Sequence, residues 1–229
     1  MATPPVLAFD VNETLLDLSP LDPLFERAFG AAGQRRQWFA QMLQLAFVGG
    51  LTGRYVDFSE AQAAALTMLA RRTQIELPDG FGAEVADTMR RLPPHPEVGG
   101  ALDRLREAGF RLVALTNSTV EVERDQLANA GLADRFEAAM SGDEVRSLKP
   151  APAAYRLVAE RCAVRLDEVR LVAAHAWDVS GALAAGCAAA FVARPGMVPS
   201  PLGPQPDVVG ADLGEVADRL LELRAGAPG

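Results

Sequence analysis

The chain places a carboxylate directly after its first apolar segment. The run VLAFD at 6–10 ends in Asp10, and Asn12, Glu13 and Thr14 follow at once. A carboxylate can act as a nucleophile that splits one difficult displacement into two easier steps through a covalent intermediate. The start of the chain therefore offers nucleophilic catalysis, with further polar side chains beside the nucleophile.

Three later segments bring polar groups that could join Asp10 in one site. They are RLVALTNS at 111–118, SLKPAPAAY at 147–155 and VRLVAAHAWD at 169–178. In open α/β sheets, ligands bind outside the carboxyl ends of the strands. We therefore expect a single site that also contains Asn117, Ser118, Lys149, Tyr155, His175 and Asp178.

Short apolar runs alternate with segments of helical spacing along most of the chain. The runs at 6–10, 111–118, 169–178 and 189–194 predict strands, because unbroken apolar character is typical of a parallel sheet covered on both faces. Between them lie helical patterns with Gly109, Gly131 and Gly186 where helices should end. The alternation predicts an α/β fold with a doubly wound parallel-sheet, Rossmann-like core.

One long stretch breaks this alternation. Residues 18–92 include WFAQMLQLAFVGG and FSEAQAAALTMLARR, which have helical patterns and no convincing strand between them. The proline-rich run LPPHPEV at 92–98 marks the return to the core. We predict a catalytic core formed by 1–17 and 93–229, with 18–92 inserted as a helical cap over the carboxyl edge of the sheet.

The composition of the chain limits the kinds of molecule that it is expected to bind. The net charge of −8 argues against nucleic-acid binding, which needs basic patches. No apolar run approaches the roughly 18 residues of a membrane span, and the start MATPPVLAFD lacks the features of a signal peptide. The two cysteines form no disulfide framework. We expect a cytoplasmic protein with a small-molecule substrate.

Four motifs in order resemble those of the haloacid dehalogenase superfamily over essentially the whole chain. FDVNETL is similar to the nucleophile motif, followed by LTNS, SLKP and AHAWDVSGA. Each motif alone is weak evidence, but the ordered set is specific. The resemblance implies that Asp10 attacks an electrophilic centre and forms a covalent ester.

Most members of the superfamily transfer phosphoryl groups, and this chain departs from their pattern. The acid that they carry two residues after the nucleophile is Asn12 here, which cannot shuttle a proton. Asp178 has no adjacent acid with which to hold Mg²⁺. The chain resembles the L-2-haloacid dehalogenase (type II) branch better, with Lys149 followed six residues later by Tyr155. This branch implies no metal and no cofactor.

The resemblance also implies roles for individual residues. Lys149 would keep Asp10 ionised, and Asp178 would orient Lys149. Asn117 would hold the departing halide. The substrate-binding set then comprises Thr14, Ser118, Asn117, Phe39, Tyr155 and Asn12.

Phe39 is a departure from this branch. Counted back from GRY at 53–55, the position of a halide-binding cap arginine falls at Phe39. Gln41, or Arg35 and Arg36, are alternative donors, or the halide lies against Phe39 and Asn117 alone. The preferred halogen stays open, including an enzyme specialised for fluoroacetate.

His175 is the second departure, because the branch usually carries an asparagine there. Histidine is the usual base near neutral pH, and a base works best when a third group fixes its tautomer. We predict that Glu13 orients His175 and that His175 activates the water that cleaves the ester. The alternative is that Glu13 only caps a helix.

These observations predict hydrolytic dehalogenation of short L-2-haloacids to 2-hydroxy acids. Two alternatives stay open: a Mg²⁺-dependent small-molecule phosphatase of the same superfamily, and a non-catalytic descendant that binds a metabolite or partner. The resemblance also implies a homodimer formed through the cap helices.

Overall fold

In the part of the chain that the structure describes, six parallel strands form one central sheet. A computed structural model describes residues 6–31 and 33–226. The strands are β1 (Val6–Phe9), β2 (Arg111–Thr116), β3 (Ala138–Ser141), β4 (Val169–Ala173), β5 (Ala188–Val192) and β6 (Val208–Gly210). Their order in the sheet is β3-β2-β1-β4-β5-β6. This is the order of a doubly wound fold, so the predicted Rossmann-like α/β core is confirmed.

The strand order reverses between β1 and β4, and this is where a ligand crevice is expected. Phe9 pairs with Val172 at the carboxyl end of both strands. The backbone N–H of Asp10 continues the pairing by donating to the carbonyl of Val172 at 3.0 Å. The first strand therefore delivers Asp10 to the centre of the sheet edge.

Nine α-helices lie in the described residues. Four occupy the stretch between β1 and the core: α1 (Asp22–Phe29), α2 (Gln34–Leu51), α3 (Phe58–Thr73) and α4 (Phe81–Arg90). The other five are α5 (Val98–Glu107), α6 (Val120–Asn129), α7 (Pro152–Cys162), α8 (Ala176–Ala185) and α9 (Leu213–Ala225). No helix within 6–31 or 33–226 has both the length and the apolar character needed to cross a membrane.

We call helices α1–α4 the cap. An aromatic cluster packs its helices together, with the ring of Phe25 5.1 Å from Trp38 and 5.7 Å from both Phe29 and Phe81, centroid to centroid. The buried apolar side chains of the cap and of one face of the sheet form one continuous cluster. The cap is therefore packed down on the core.

Three details of the strand prediction were wrong. The strand predicted at 169–178 ends at Ala173, and α8 begins at Ala176 with His175 as its N-cap. An apolar run such as VAAHAW has no periodicity that separates a strand from a buried helix. Strands β3 and β6 were missed because they have only four and three residues. The helix ends were right: Gly109, Gly131 and Gly186 have φ of +81°, +67° and +100°.

Candidate active site

Lys149 lies at the centre of a buried ion cluster at the carboxyl edge of the sheet. Its Nζ donates to Oδ1 of Asp10 at 2.8 Å, to Oδ2 of Asp178 at 2.7 Å and to the carbonyl of Leu115 at 2.7 Å. The side chain has no exposed surface. All three ammonium hydrogens are used, so Lys149 has no donor left for a substrate.

The charges in this cluster shift one another's pKa values. Burial would raise the pKa of Asp10, but Lys149 and His175 outweigh it and hold this pKa well below its usual range. Burial would lower the pKa of Lys149, but the two carboxylates raise it. Burial raises the pKa of Asp178, against the opposing effect of Lys149. Of the two carboxylates, Asp10 is therefore the one whose ionised form the cluster stabilises more strongly.

The second oxygen of Asp10 is held from another side. The hydroxyl of Thr14 donates to Oδ2 of Asp10 at 2.6 Å and accepts the backbone N–H of Ala174 at 2.9 Å. Nδ1 of His175 lies 3.1 Å from the same Oδ2. Thr14, which follows β1, thus connects Asp10 to Ala174 on the loop that follows β4.

Glu13 contacts the other nitrogen of the imidazole. Oε2 of Glu13 lies 3.0 Å from Nε2 of His175. The backbone of Glu13 has φ of +61°, a conformation that costs a residue with a side chain about 1–3 kcal/mol. Arg35 of α2 donates to Oε1 of Glu13 at 3.3 Å and to Asp22 at 2.6 Å. The histidine therefore lies between two carboxylates, one of which is held by the cap.

These two carboxylates set the protonation of His175. Burial would lower its pKa, but the hydrogen bonds to Asp10 and Glu13 outweigh burial and raise the pKa to about 9. The free protein therefore holds an imidazolium at neutral pH. This differs from the usual neutral imidazole base on which the prediction from sequence relied.

Phe39 occupies the position at which the resemblance described above implies a cap arginine. Its ring stacks on His175, with centroids 5.9 Å apart and planes at 19°. Arg35 is engaged by Glu13 and Asp22, and Gln41 donates to Gln44 at 2.9 Å. Phe39 of the cap thus covers the imidazolium of His175 with an aromatic face, which favours a cation.

A network of hydrogen bonds, most of them from side-chain amides, fixes Asn12, Asn117 and Ser118. Nδ2 of Asn12 donates to Oγ of Ser118 at 3.2 Å, and Oδ1 of Asn12 accepts from Gln126 at 2.9 Å. Asn117 exchanges two hydrogen bonds with the backbone of Lys149, at 2.9 and 2.7 Å. Gln126 was missed from the sequence, because nothing distinguishes a glutamine in the middle of a helix.

Tyr155 contacts Asp178. Its hydroxyl lies 2.6 Å from Oδ1 and 3.0 Å from the carbonyl of Asp178, and the residue does not line the cavity beside Asp10. Both carboxylate oxygens of Asp178 are engaged, by Lys149 and Tyr155. Among residues 6–31 and 33–226, no group of three or more His, Cys, Asp or Glu side chains is arranged to hold a metal ion.

The cavity beside Asp10, which we call the reaction cavity, is small. Its volume is about 10 Å³, which is space for roughly one water molecule. Trp177 contributes a side chain whose Nε1–H has no acceptor in the described part of the chain. The lining residues are Asp10, Asn12, Phe39, Leu43, Phe58, Thr116, Asn117, His175 and Trp177.

A doubly wound sheet with an ionised aspartate and its lysine at the switch point, under a helical cap, defines a hydrolase of the haloacid dehalogenase type. A family model for haloacid dehalogenase-like hydrolases matches residues 4–186. The chain belongs to this family.

Known relatives agree with this assignment. The chain is 34% identical to haloacetate dehalogenase H-2 of Moraxella sp. (strain B), over 88% of this chain and 91% of that protein. It is 30% identical to (S)-2-haloacid dehalogenase 2 of Pseudomonas sp. (strain CBS-3), over 93% and 94%. The solved L-2-haloacid dehalogenase from Xanthobacter autotrophicus with chloropropionic acid covalently bound superposes with a TM-score of 0.87 at 29% identity, covering 98% of this chain and all of that one.

Proposed function

We propose that this protein hydrolyses short L-2-haloacids to 2-hydroxy acids through an ester on Asp10. The observation that carries the proposal is the ionised Asp10 held by Lys149 at the switch point. The relatives support it, since they are named as haloacetate and (S)-2-haloacid dehalogenases and one structure holds covalently bound chloropropionic acid. Asp10, Lys149, His175, Glu13 and Asp178 form the proposed catalytic set.

In the first step, a carboxylate oxygen of Asp10 attacks C2 of the haloacid from behind the carbon–halogen bond. A C–O bond forms, and the halide leaves with the electron pair of the broken bond. Lys149 stabilises the carboxylate form of Asp10 before this step. Tyr155 acts indirectly, since it holds the Asp178 that positions Lys149.

Two side chains are in place to receive the halide. The Nε1–H of Trp177 is buried without an acceptor among the described residues. Asn117 uses one amide hydrogen on the carbonyl of Lys149, and its second amide hydrogen has no acceptor within 6–31 and 33–226. These donors replace the charged cap arginine in the proposed mechanism, and Phe39 supplies an apolar wall.

The substrate carboxylate is assigned to Ser118. Its Oγ accepts a hydrogen bond from Asn12 and keeps its own hydrogen to donate. Ser118 also lies directly before Thr119, the N-cap of α6, where helix N–H groups favour an anion. Thr14 is fully engaged by Asp10 and Ala174, so we assign it to the nucleophile.

In the second step, water cleaves the ester. When Asp10 becomes an ester it loses the negative charge that lies 3.1 Å from Nδ1 of His175, so the raised pKa of His175 should fall. His175 then releases its proton to solvent, and its neutral imidazole takes a proton from the attacking water while Glu13 holds Nε2. The hydroxide oxygen attacks the carbonyl carbon of the ester, and the bond between this carbon and the substrate oxygen breaks. The leaving alkoxide takes a proton from His175 and departs as the 2-hydroxy acid, and the carboxylic acid left on Asp10 returns its proton to His175.

Halide release tests this function. We expect metal-independent release, in EDTA, from haloacetates and from the L enantiomer of 2-chloropropionate, with loss of activity in Asp10→Asn. Hydrolysis of a phosphate ester that requires Mg²⁺, with no halide release, would establish the phosphatase alternative instead. A protein that binds haloacids but forms no adduct on Asp10 would be a non-catalytic descendant.

We also propose that the protein works in the cytoplasm and as a homodimer. Cys162 and Cys187 are free and buried, which supports a reducing compartment. Val48 and Met68 are large apolar side chains exposed on α2 and α3 and do not line the larger cavity of the protein, which supports association through the cap. Sedimentation of the purified protein would test the dimer.

A further inference from the structure

The reaction cavity lies next to a much larger one. This second cavity, which we call the vestibule, has a volume of about 590 Å³ and lies between the end of α2 and segment 146–152 of the core. The reaction cavity has about 10 Å³, so a haloacid cannot enter it without a movement of the walls. The vestibule is large enough to hold the substrate before that movement.

Two aromatic rings form the wall between the cavities. Phe47 lines the vestibule and Trp177 lines the reaction cavity. Their ring centroids are 5.3 Å apart in an edge-to-face arrangement. Leu148 and Pro150, on either side of Lys149, also line the vestibule. A rotation of the ring of Phe47 or Trp177 would connect the vestibule to the reaction cavity.

Arg146 gives the vestibule a positive charge. It is the single charged residue among those that line this cavity, and its guanidinium lies 4.5 Å above the ring of Tyr55. It forms no ion pair with any residue in 6–31 or 33–226. Because the chain carries a net charge of −8, a local cation is needed to attract an anion.

We propose that the vestibule is the entrance for the haloacid anion, that Arg146 attracts its carboxylate, and that Phe47 and Trp177 part to admit it. The identity of the anion rests on the proposed function. Arg146 acts here as a capture residue and does not touch the reacting atoms. The shared wall, the closed reaction cavity and the position of Arg146 support this route.

A reversible thiol label that blocks the vestibule tests whether it is the substrate entrance. Gly50 lines the vestibule and has no atom within 4 Å of an added Cβ, so Gly50→Cys should fold. Cys162 and Cys187 are buried, so benzyl methanethiosulfonate should label the introduced thiol. We expect labelling to lower kcat/KM for chloroacetate by roughly tenfold or more, since access limits association, and reduction of the mixed disulfide to restore it.

The matched control is Gly100→Cys on α5. This position is also exposed, with nothing within 4 Å of an added Cβ, and it does not line the vestibule. Labelling it should leave kcat/KM unchanged. If labelled Gly50→Cys keeps the kcat/KM of the unlabelled protein, the vestibule is not the entrance and the proposal is overturned.

A second measurement tests Arg146 without relying on turnover. In Gly50→Cys we would compare the labelling rates of an anionic sulfonatoethyl and a cationic trimethylammonioethyl methanethiosulfonate. Adding Arg146→Gln should lower the anion-to-cation rate ratio by about fivefold at low salt, and salt should remove the difference. Arg72→Gln, an exposed arginine on α3, is the control. An unchanged ratio in Arg146→Gln would overturn the role of Arg146.

The results of these experiments distinguish a failure of the entrance proposal from a failure of the proposed dehalogenase function. If the native protein releases no halide from any haloacid, the proposed function fails, while the rate ratio still reports on the vestibule. If the Gly50→Cys label or Arg146→Gln dissociates a dimer, this surface is an interface between two copies of the chain, and the entrance proposal is wrong.

Discussion

Arg35, on cap helix α2, donates a hydrogen bond at 3.3 Å to the carboxylate of Glu13, which in turn lies 3.0 Å from Nε2 of His175. A cation of the cap is therefore connected to the proposed base of the core through one carboxylate. Arg35 is only 7% exposed, so this contact is poorly screened by water. The proposed base is complete only when the cap is packed on the core.

Replacing Arg35 should therefore impair the second step. In Arg35→Met the arginine stem is retained in part, but Glu13 loses its partner and the pKa of His175 should change. We expect halide release to slow by about tenfold, in line with about 1.5 kcal/mol for a charge-assisted hydrogen bond, and the pH profile of kcat to shift. Arg36→Met, at an exposed neighbouring position, should match the native protein. A lower melting temperature with an unchanged pH profile would show that Arg35 is only structural.

Loss of His175 should trap the ester. In His175→Ala, Asp10 and Lys149 remain, so the first step can occur, but neither an imidazole nor the asparagine usual in this branch is left to position and activate water. We expect one equivalent of halide in a burst, followed by turnover lowered by about 10²–10⁴-fold, the usual contribution of a general base. Mass spectrometry should find the added carboxymethyl group of chloroacetate on the peptide that contains Asp10.

Glu13→Gln tests the orienting role in the same assay. The amide keeps the shape of Glu13 but cannot stabilise an imidazolium, so we expect a smaller loss and partial accumulation of the ester. Native rates in both His175→Ala and Glu13→Gln would contradict the proposed pair. In that case Glu13 would be a strained loop residue without a role in the reaction.

The sequence predicted the positions of the charged groups better than their protonation. Each of Asp10, Asn117, Lys149 and Asp178 follows an apolar segment or belongs to a motif, and the parallel sheet brings such positions together. The pKa of His175 depends on two carboxylates at 3.0 and 3.1 Å, and no sequence pattern encodes such distances. The hydrogen bonds of Arg35 and Gln126 could not be predicted from the sequence either, because their partners lie 22 and 114 residues away along the chain.

The raised pKa of His175 makes stability depend on pH. The folded-state pKa of about 9 lies above the ordinary value of 6.5, so the stabilising contribution is fully present below pH 6.5 and is lost as the pH rises through 9. Over this interval the free energy of unfolding should fall by about 1.4 kcal/mol per pH unit because of this group. Denaturant titrations of the native protein and His175→Asn should show this slope as their difference. A difference that is constant between pH 6 and pH 10 would show that folding does not raise the pKa of His175.

Trp177→Phe tests the assignment of the halide site. Phenylalanine keeps an aromatic ring against Phe47 and His175, whose centroids lie 5.3 Å from that of Trp177, but it removes the unpaired N–H. A hydrogen bond to a charged acceptor contributes about 1.5–3 kcal/mol, so we expect a loss of roughly 10–100-fold in kcat/KM. The loss should be greatest for fluoroacetate, because fluoride is the strongest hydrogen-bond acceptor among the halides, and inhibition by added halide should weaken in parallel.

Trp38→Phe is the control, since Nε1 of Trp38 already donates to the carbonyl of Gln62 at 3.1 Å within the cap. This control should lower stability without changing the order of the halides. An equal loss for every halogen in Trp177→Phe would assign Trp177 to packing and leave Asn117 as the halide donor.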